Sequence, residues 1–212
     1  MKIAFILPSL KNQGPIIVAK DIIQGLVDKA KLIDVYYFDK ENIELLFPCN
    51  TYRISFFQKI DFNKYDVVHT HMLRPDLYIW YHRKKTDKCQ FVSTLHQFIY
   101  QNLKNTYNRF IALIFEKVWI NALKKQDEIV YLTHIMEYTY KNRIKKTSKV
   151  IYNGRSFSEE IINAPVEEHS KLLAIKKQFK IIGIHCIVTK IKGVHQTILA
   201  LKHLPDYFFI IV

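Results

Sequence analysis

The amino-acid sequence predicts an α/β protein whose parallel sheet carries helices on both faces. Short runs rich in β-branched and aromatic residues alternate with longer segments in which apolar residues recur at helical spacing. This alternation is typical of βαβ units and of a Rossmann-like sheet. Hydrophobic residues make up 49% and charged residues 24% of the 212 residues. That composition allows a buried core and excludes the disordered and collagen-like classes.

Eight segments are predicted to be strands, because each concentrates β-branched or aromatic residues over a short length. In chain order they are 2–8, 32–38, 66–71, 90–95, 128–132, 148–152, 181–188 and 207–212. The N-terminal run is broken by Pro8 and is expected to be the first strand rather than a leader peptide.

Six helices are predicted between these strands. The first begins at Pro15, because proline lacks the N–H that the first turn of a helix leaves unpaired. The others are 75–87, 106–125, 134–146, 168–179 and 193–204. Segment 106–125 is apolar over more than one face, which predicts that it packs between the sheet and a further layer.

The length suits one domain and part of a second, at roughly 100 to 200 residues per domain. Asn153-Gly154 after a strand and Pro165 among acidic residues interrupt the βα rhythm. We therefore expect an N-terminal domain over 1–160, and a linker with an incomplete second domain over 161–212.

The charge balance indicates an anionic partner. Lys and Arg number 32 against 19 Asp and Glu, a formal charge of +13, which favours either nucleic acid or an anionic membrane surface. The cysteines are single and far apart, so no disulfide framework or zinc ribbon is encoded and a cytoplasmic location is expected. No apolar stretch approaches the roughly 18 residues of a spanning helix, so membrane contact is expected to be peripheral.

Several enzyme classes are excluded by motif. The five glycines are too scattered for GxGxxG or GxxxxGK[ST], which argues against a dinucleotide dehydrogenase and a P-loop NTPase, and no GxSxG elbow occurs. His69 and His71 alternate along a strand and could share a metal, but no third ligand lies nearby in the sequence. Hydrogen-bonded histidines at a strand end are the favoured interpretation.

Ligands of open parallel sheets bind at the carboxyl ends of the strands, so the loops that follow strands are the candidate binding loops. These loops are polar. Their candidate substrate-binding residues are Asn12, Gln13 and Gly14 after the first strand, His71 and Arg74 after the third, and Asn153 and Arg155 after the sixth; His96 follows the fourth strand.

Five segments carry a family resemblance, and they occur in the family's order over nearly the whole chain. They are QGPIIVAKDIIQGL, DVVHTHMLRPDLY, VSTLHQF, KVIYNGR and CIVTKIKGVHQTILALKHLPDYFFIIV. In these segments the sequence resembles the metal-independent, retaining nucleotide-sugar glycosyltransferases of family 4, which have the two-lobed GT-B fold. The resemblance implies an N-terminal acceptor-side lobe followed by the first β-α-β of a C-terminal, donor-binding lobe.

The same resemblance implies an activity and roles for residues. It implies sugar transfer from a nucleotide-sugar to a glycan or lipid-linked acceptor in cell-surface polysaccharide biosynthesis, with no metal or other cofactor. His96 stands where the family places a histidine facing the transferred sugar, which makes it the candidate catalytic residue. Lys192, in a Lys-Gly pair, would bind the donor phosphate. A phosphate is expected near Gly14, because helix N-termini favour anions.

Two departures from the family pattern limit this reading. Ile187 stands where the family usually sets an arginine that holds the donor diphosphate, and the chain ends at Val212, before most of the family's nucleotide pocket. We therefore expect a donor lobe that is incomplete and inactive alone, with a possible partner chain that completes it.

A solvated cationic face is the default interpretation of the basic residues, and three functional interpretations stay open. The cluster Lys141, Arg143, Lys145, Lys146 and Lys149 could hold the protein at the inner face of the cytoplasmic membrane. A basic α/β domain that binds nucleic acid, stacking bases on Tyr138, Tyr140 and Tyr152, is the alternative class, but no nucleic-acid signature is present. The third interpretation is a non-catalytic subunit of a split transferase.

Overall fold

A seven-stranded parallel sheet organises the larger part of the chain. The computed structural model describes residues 1–40, 43–155, 169–186 and 188–212, and the chain divides into two units, Met1–Ser156 and Phe157–Val212. The strands of the first unit are β1 (Lys2–Leu7), β2 (Leu32–Tyr37), β3 (Asn50–Arg53), β4 (Val67–His71), β5 (Gln90–Leu95), β6 (Glu128–Tyr131) and β7 (Thr147–Val150). Their order is β3-β2-β1-β4-β5-β6-β7, and every neighbouring pair is parallel.

This order creates a switch point between β1 and β4. From β1 the chain moves outward to β2 and β3, and from β4 it moves the other way to β7. All strands are parallel, so their carboxyl ends meet at one edge, and the loops after β1 and β4 diverge there. Such a divergence leaves the crevice in which open α/β sheets bind ligands.

Helices lie on both faces of the sheet, as predicted. They are α1 (Gly14–Leu26), α2 (Leu73–His82), α3 (Ile99–Thr106), α4 (Arg109–Leu123) and α5 (His134–Ile144). Crossovers between parallel strands are right-handed, so α1, which leads to β2, lies on one face, and the helices between β4 and β7 lie on the other.

The core follows the alternation of side chains along β1. Phe5 is buried in a cluster that includes Ile16 and Ile23 of α1, whereas Ile6 is buried in a cluster that includes Tyr78 and Ile79 of α2. β1 is apolar on both faces because both are covered, as expected for the centre of a parallel sheet.

The second unit holds a separate two-stranded parallel sheet. Its described elements are α6 (His169–Lys176), β8 (Lys180–Ile184), α7 (Val194–Ala200) and β9 (Tyr207–Ile211), and β8 pairs with β9. The prediction that a new sheet begins near residue 181 is therefore confirmed. The predicted domain boundary at 160/161 lies outside the described residues.

Two predicted helices have different bounds. Segment 106–125 is divided between two helices, because α3 ends at Thr106 and a new helix begins after Asn108, whose side chain accepts a hydrogen bond from the Ile111 N–H at 2.9 Å. Such a cap starts a helix. The helix predicted to reach residue 87 ends at His82, where the backbone of Arg83 becomes extended.

The prediction that α4 is packed on more than one face was wrong. One face is buried, with Trp119 and Leu123 in the core, but Phe110, Leu113 and Ile114 on the opposite face are 73%, 45% and 47% exposed.

Within the described ranges, no helix is both long enough and apolar enough to cross a bilayer.

Candidate functional site

The carboxyl edge of β4 carries a strained residue next to a pair of histidines. Met72 follows His71 directly and adopts φ 77° and ψ 169° as the N-cap of α2. Side chains other than glycine rarely adopt that conformation, which costs about 1–3 kcal/mol and occurs most often at functional sites. The strain turns the chain sharply from β4 into α2 and leaves His71 at the switch point.

Three imidazoles lie in contact along this edge. His69 and His71 share one face of β4, with ring centroids 4.5 Å apart. Nδ1 of His71 lies 2.7 Å from Nε2 of His96, which follows β5, and Nε2 of His69 lies 2.8 Å from Oγ1 of Thr94. The structure therefore brings His71 and His96 together, and it adds Thr94, which the sequence had not marked.

All three histidines are neutral at pH 7. Burial, and after it the neighbouring His96 imidazole, lower the pKa of His69 to about 4, and burial lowers the pKa of His96 to about 4. Burial, and then the two other imidazoles, hold the pKa of His71 well below its usual value. The site therefore offers hydrogen bonds rather than positive charge.

The hydrogen-bond partners assign the tautomers. Nε2 of His71 is buried and has no partner in the part of the chain that the structure describes. A buried N–H without an acceptor is rarer than a bare acceptor, so we place the proton of His71 on Nδ1, which donates to Nε2 of His96. His96 then carries its own proton on Nδ1, which is available to a ligand.

Full burial separates the His71 side chain from solvent in this structure. His71 is 0% exposed and its ring contacts His69, His96 and Phe5. A side chain so enclosed does not reach a substrate directly in this structure. Its Nδ1 lies instead against Nε2 of His96, whose ring is partly exposed.

The opposite face of the same strands is held by a buried carboxylate. Asp76 of α2 accepts hydrogen bonds from Thr70 Oγ1, Ser93 Oγ and Trp119 Nε1 at 2.6, 2.7 and 2.7 Å. Burial raises the pKa of Asp76 to about 6, and these donors oppose the rise. Asp76 thereby joins α2, α4, β4 and β5 directly beneath the histidines.

A cavity of about 600 Å³ lies beside His69 in the first unit. Its lining includes Thr94, Asn153 and Arg155 together with Ile22 of α1. The segment after β7 is held here by a hydrogen bond from the Ile151 N–H to the Tyr131 carbonyl oxygen at 2.9 Å. The predicted residues Asn153 and Arg155 therefore share a cavity with His69, whose ring touches His71.

The loop before α1 lies at the same edge of the sheet but does not line this cavity. Gln13 is the N-cap of α1 without a side-chain capping bond, and a Cβ added at Gly14 would meet only open space. The Asn12 N–H donates to Glu44 Oε2 at 2.7 Å. Because the Glu44 carboxylate already occupies one amide and carries negative charge, it opposes the anion predicted near Gly14.

Arg74 is held by an ion pair at the carboxyl edge. Its guanidinium Nη1 donates to Oδ1 of Asp39, which follows β2, and its Cζ lies 5.8 Å from the centroid of the Phe38 ring. The pair therefore links the first turn of α2 to the segment that follows β2.

Lys192 lies in the second unit, in the short turn Lys190–Lys192, and it is exposed. Gly193 after it has φ 71° and caps both this turn and α7. Since left-handed backbone favours glycine, the Lys-Gly pair has a structural reason in this chain. Ile187, where the family's arginine was expected, lies outside the described residues.

Two sets of predicted side chains have other partners. Tyr140 is buried, and its hydroxyl accepts a hydrogen bond from the Ile99 N–H at 2.7 Å, so it does not stack bases. A ring nitrogen of His69 is hydrogen-bonded to Thr94, and a ring nitrogen of His71 is hydrogen-bonded to His96. Among the described residues, no group of three His, Cys, Asp or Glu side chains could hold a metal ion.

Comparison with known sequences matches residues 31–158 to the protein family Glycosyltransferase Family 4. An O-antigen biosynthesis glycosyltransferase of Escherichia coli, WclY, is 24% identical over 217 aligned positions, covering 100% of this chain and 61% of the relative. The chain thus spans less than two thirds of that relative's length.

Two solved structures have folds similar to that of this chain. HepE of Anabaena, solved in complex with UDP and glucose, has a TM-score of 0.71 at 16% identity over 100% of this chain and 60% of its own. Sucrose-phosphate synthase of Thermosynechococcus elongatus has a TM-score of 0.67 at 13% identity, covering 100% of this chain and 62% of its own. At these identities the likeness concerns the fold alone.

Proposed function

The chain belongs to glycosyltransferase family 4, and from that premise we propose that it provides the acceptor-side lobe of a retaining sugar transferase. The transferase would move a sugar from a nucleotide-sugar to a glycan or lipid-linked acceptor in cell-surface polysaccharide biosynthesis. The observation that carries the proposal is that the family match spans the strands and loops that hold His71, His96, Asn153 and Arg155.

In this proposal His96 is the catalytic residue and acts as a neutral hydrogen-bond donor. Its Nδ1–H would bind a hydroxyl of the transferred sugar or the acceptor, and the lowered pKa keeps the ring uncharged. A fixed donor helps most when it needs no rearrangement as charge develops in the transition state. His71 supplies that fixation through the 2.7 Å contact.

The remaining residues divide between acceptor and donor. Asn153 and Arg155 line a cavity with His69, which suits the hydroxyl and anionic groups of an acceptor. Asn12, Gln13 and Gly14 would face the donor phosphate if Glu44 releases the Asn12 amide, and Lys192 would add a positive charge. The donor assignment is supported by HepE, whose structure holds UDP and glucose. We propose that no metal or other cofactor takes part.

The location follows from the proposed acceptor. Lipid-linked acceptors lie at the cytoplasmic membrane, so we place the protein in the cytoplasm, peripherally bound at the inner face. The charge of +13 supports attraction to anionic lipid, and nucleic acid is not an expected partner.

A genetic complementation experiment tests the function. Deleting the gene should remove or shorten a cell-surface polysaccharide, and the wild-type gene should restore it. The His96→Ala variant should not restore it, whereas His203→Ala, which alters an exposed histidine of the second unit, should. An unchanged polysaccharide in the deletion strain, or full rescue by His96→Ala, would contradict the proposal.

We further propose that these 212 residues do not transfer sugar alone. The described part of the second unit holds only one β-α-β, made of β8, α7 and β9, and a nucleotide-sugar needs more contacts than such a unit offers. A partner chain would then complete the donor lobe. Calorimetric titration of the purified chain with nucleotide-sugars should show no micromolar binding, and an affinity tag should co-purify a second polypeptide. Micromolar binding or turnover by the purified chain would refute this.

A further inference from the structure

The outward face of α4 changes character along its length. Phe110, Leu113 and Ile114 occupy its first two turns and are exposed. At 100° per residue, Lys117 and the C-cap residue Lys124 continue the same stripe to the end of the helix, and both are exposed. The stripe is therefore apolar at one end and basic at the other.

The basic end adjoins a small open cavity. Lys117, Lys124 and Arg143 line this space of about 290 Å³ together with Ile120 and Asn121. Arg143 is paired with Glu116 at 2.8 Å, but within the described ranges neither lysine takes part in an ion pair. The two lysines are therefore free to meet an anion such as a phosphate.

The topology places the apolar end toward the candidate site. α3 begins three residues after His96, at the carboxyl edge of the sheet, and α4 ends shortly before β6 begins at the opposite, amino edge. Because β6 is parallel to β5, α4 runs from the carboxyl edge back to the amino edge. Phe110 is thus on the side of the sheet that carries His96.

We propose that this stripe, Phe110, Leu113, Ile114, Lys117 and Lys124, is the surface by which the protein docks on an anionic lipid bilayer. The apolar end enters the boundary between headgroups and acyl chains, and the two lysines bind lipid phosphates. Charge complementarity selects this occupant, since the stripe combines an apolar patch with basic residues in a chain of charge +13.

The stripe fits this role better than the basic cluster of α5 and β7. In that cluster Arg143 is paired with Glu116 and Lys149 lies 3.8 Å from Glu128, so part of its charge is already neutralised. The inference rests on the proposed function for its biological meaning, because a docked α4 would hold His96 close to lipid-linked acceptors.

Vesicle binding tests the surface without donor or acceptor. The purified chain should sediment with vesicles of phosphatidylcholine and phosphatidylglycerol, and much less with phosphatidylcholine alone. The triple variant Phe110→Gln, Leu113→Gln, Ile114→Gln keeps helix propensity and should weaken binding by at least about tenfold, because three apolar side chains no longer leave water on docking. Lys117→Glu with Lys124→Glu should weaken it by at least about tenfold, at roughly fivefold per lysine.

Two matched controls separate the stripe from general effects. Leu46→Gln with Phe57→Gln removes two side chains that are 79% and 76% exposed elsewhere, and Lys29→Glu with Lys31→Glu makes the same charge change on exposed lysines near the end of α1. Both should keep at least about half of the wild-type affinity. Circular dichroism and melting curves verify that every variant folds.

A fluorescent reporter gives an independent reading. Phe110→Trp should show a blue-shifted emission on adding anionic vesicles, because its indole would move into a drier environment. Equal vesicle binding by the stripe variants and the wild type would overturn the proposal. So would a dimer in light scattering that dissociates in the triple Gln variant, since a second copy would then cover the stripe.

The two proposals fail in different ways. If vesicle binding depends on the stripe while the deletion strain keeps its polysaccharide, the function is wrong and the docking surface stands. If the polysaccharide depends on His96 while the stripe variants bind vesicles as well as the wild type, the proposed docking surface is wrong and the proposed function stands.

Discussion

The two faces of β4 and β5 carry buried polar groups of different kinds, a carboxylate on one face and a row of imidazoles on the other. On one face, Asp76 receives three short hydrogen bonds from Thr70, Ser93 and Trp119. On the other, His69, His71 and His96 form a chain in which Nε2 of His71 has no partner within the described part of the molecule.

This difference distinguishes a structural network from a site. The Asp76 carboxylate accepts several hydrogen bonds and so fixes the elements that contribute them, although Oε1 of the neighbouring Gln126 is buried without a partner among the described residues. A buried polar atom without a partner costs stability and calls for an explanation, which at His71 we seek in function. The strained Met72 lies on the connection between the two. The hydrogen bonds of Asp76 therefore hold β4, β5 and α2 in fixed positions, and the histidines on the opposite face of these strands are fixed with them.

The largest expected effect comes from removing the satisfied carboxylate. Asp76→Ala should lower the free energy of unfolding by about 3–5 kcal/mol, because it leaves several buried donors without an acceptor. Urea denaturation followed by circular dichroism measures this. Asp21→Ala, at a partly exposed position on α1, is the control and should change it by less than about 0.5 kcal/mol. A loss below about 1 kcal/mol at Asp76 would mean that the network does not hold the fold.

The next effect is acid lability between pH 6.5 and 4. Unfolded histidines bind protons near pH 6.5, but the lowered pKa values of His69, His71 and His96 prevent this in the folded state. Stability that these groups contribute above pH 6.5 is lost as the pH falls toward 4. Asp76 acts in the opposite direction, because its folded pKa of about 6 exceeds its unfolded value of 3.8.

Three histidines outweigh one aspartate, so these groups should reduce stability on acidification by on the order of 1–3 kcal/mol per pH unit. Melting temperatures measured from pH 7.5 to 4 would show this. In a variant with His69→Gln and His71→Phe the melting temperature should depend less on pH. If the melting temperature of the wild type rises on acidification, Asp76 and not the histidines controls the pH dependence.

The smallest effect on stability is expected for His71→Phe. The change removes one hydrogen bond and also an unpaired buried nitrogen, so the free energy of unfolding should change by less than about 1 kcal/mol. The tautomer of His96 should change nevertheless, because Nε2 loses its donor. Nitrogen-15 NMR of the histidine rings detects this, with His203 as an internal reference. An unchanged His96 tautomer would show that His71 does not position that ring.

The strands were predictable because their signal is local. β1, β2, β4 and β5 were recognised within one or two residues, since β-branched and aromatic side chains fill strands that are covered on both faces. β3, with sequence NTYR, was missed because all four residues are exposed and only backbone pairing with β2 forms the strand. The capping residue Asn108 was the overlooked signal that separates α3 from α4.

The site was predictable in position but not in its contacts. The carboxyl-edge rule placed His71 and His96 at the same edge, and the structure joins them. The sequence could not show that the Glu44 carboxylate binds the Asn12 amide, because residues 32 positions apart carry no local pattern. Asp76 was likewise invisible as a network centre, since its donors come from two strands and a second helix. The family match of residues 31–158 supports the resemblance that the five segments had indicated.

The central place of β1 sets an order for folding during synthesis. β1 pairs with β2 soon after both emerge, but its other neighbour is β4, and Lys2 donates its backbone N–H to an Asp66 carboxylate 64 positions away. At about 5–20 residues per second, β4 follows β2 by about 2–7 s. During that interval the free edge of β1 exposes unpaired backbone, and long-range pairing is slow to replace it. A nascent chain stalled between β2 and β4 is therefore the form of this protein that a chaperone at the ribosome exit would bind.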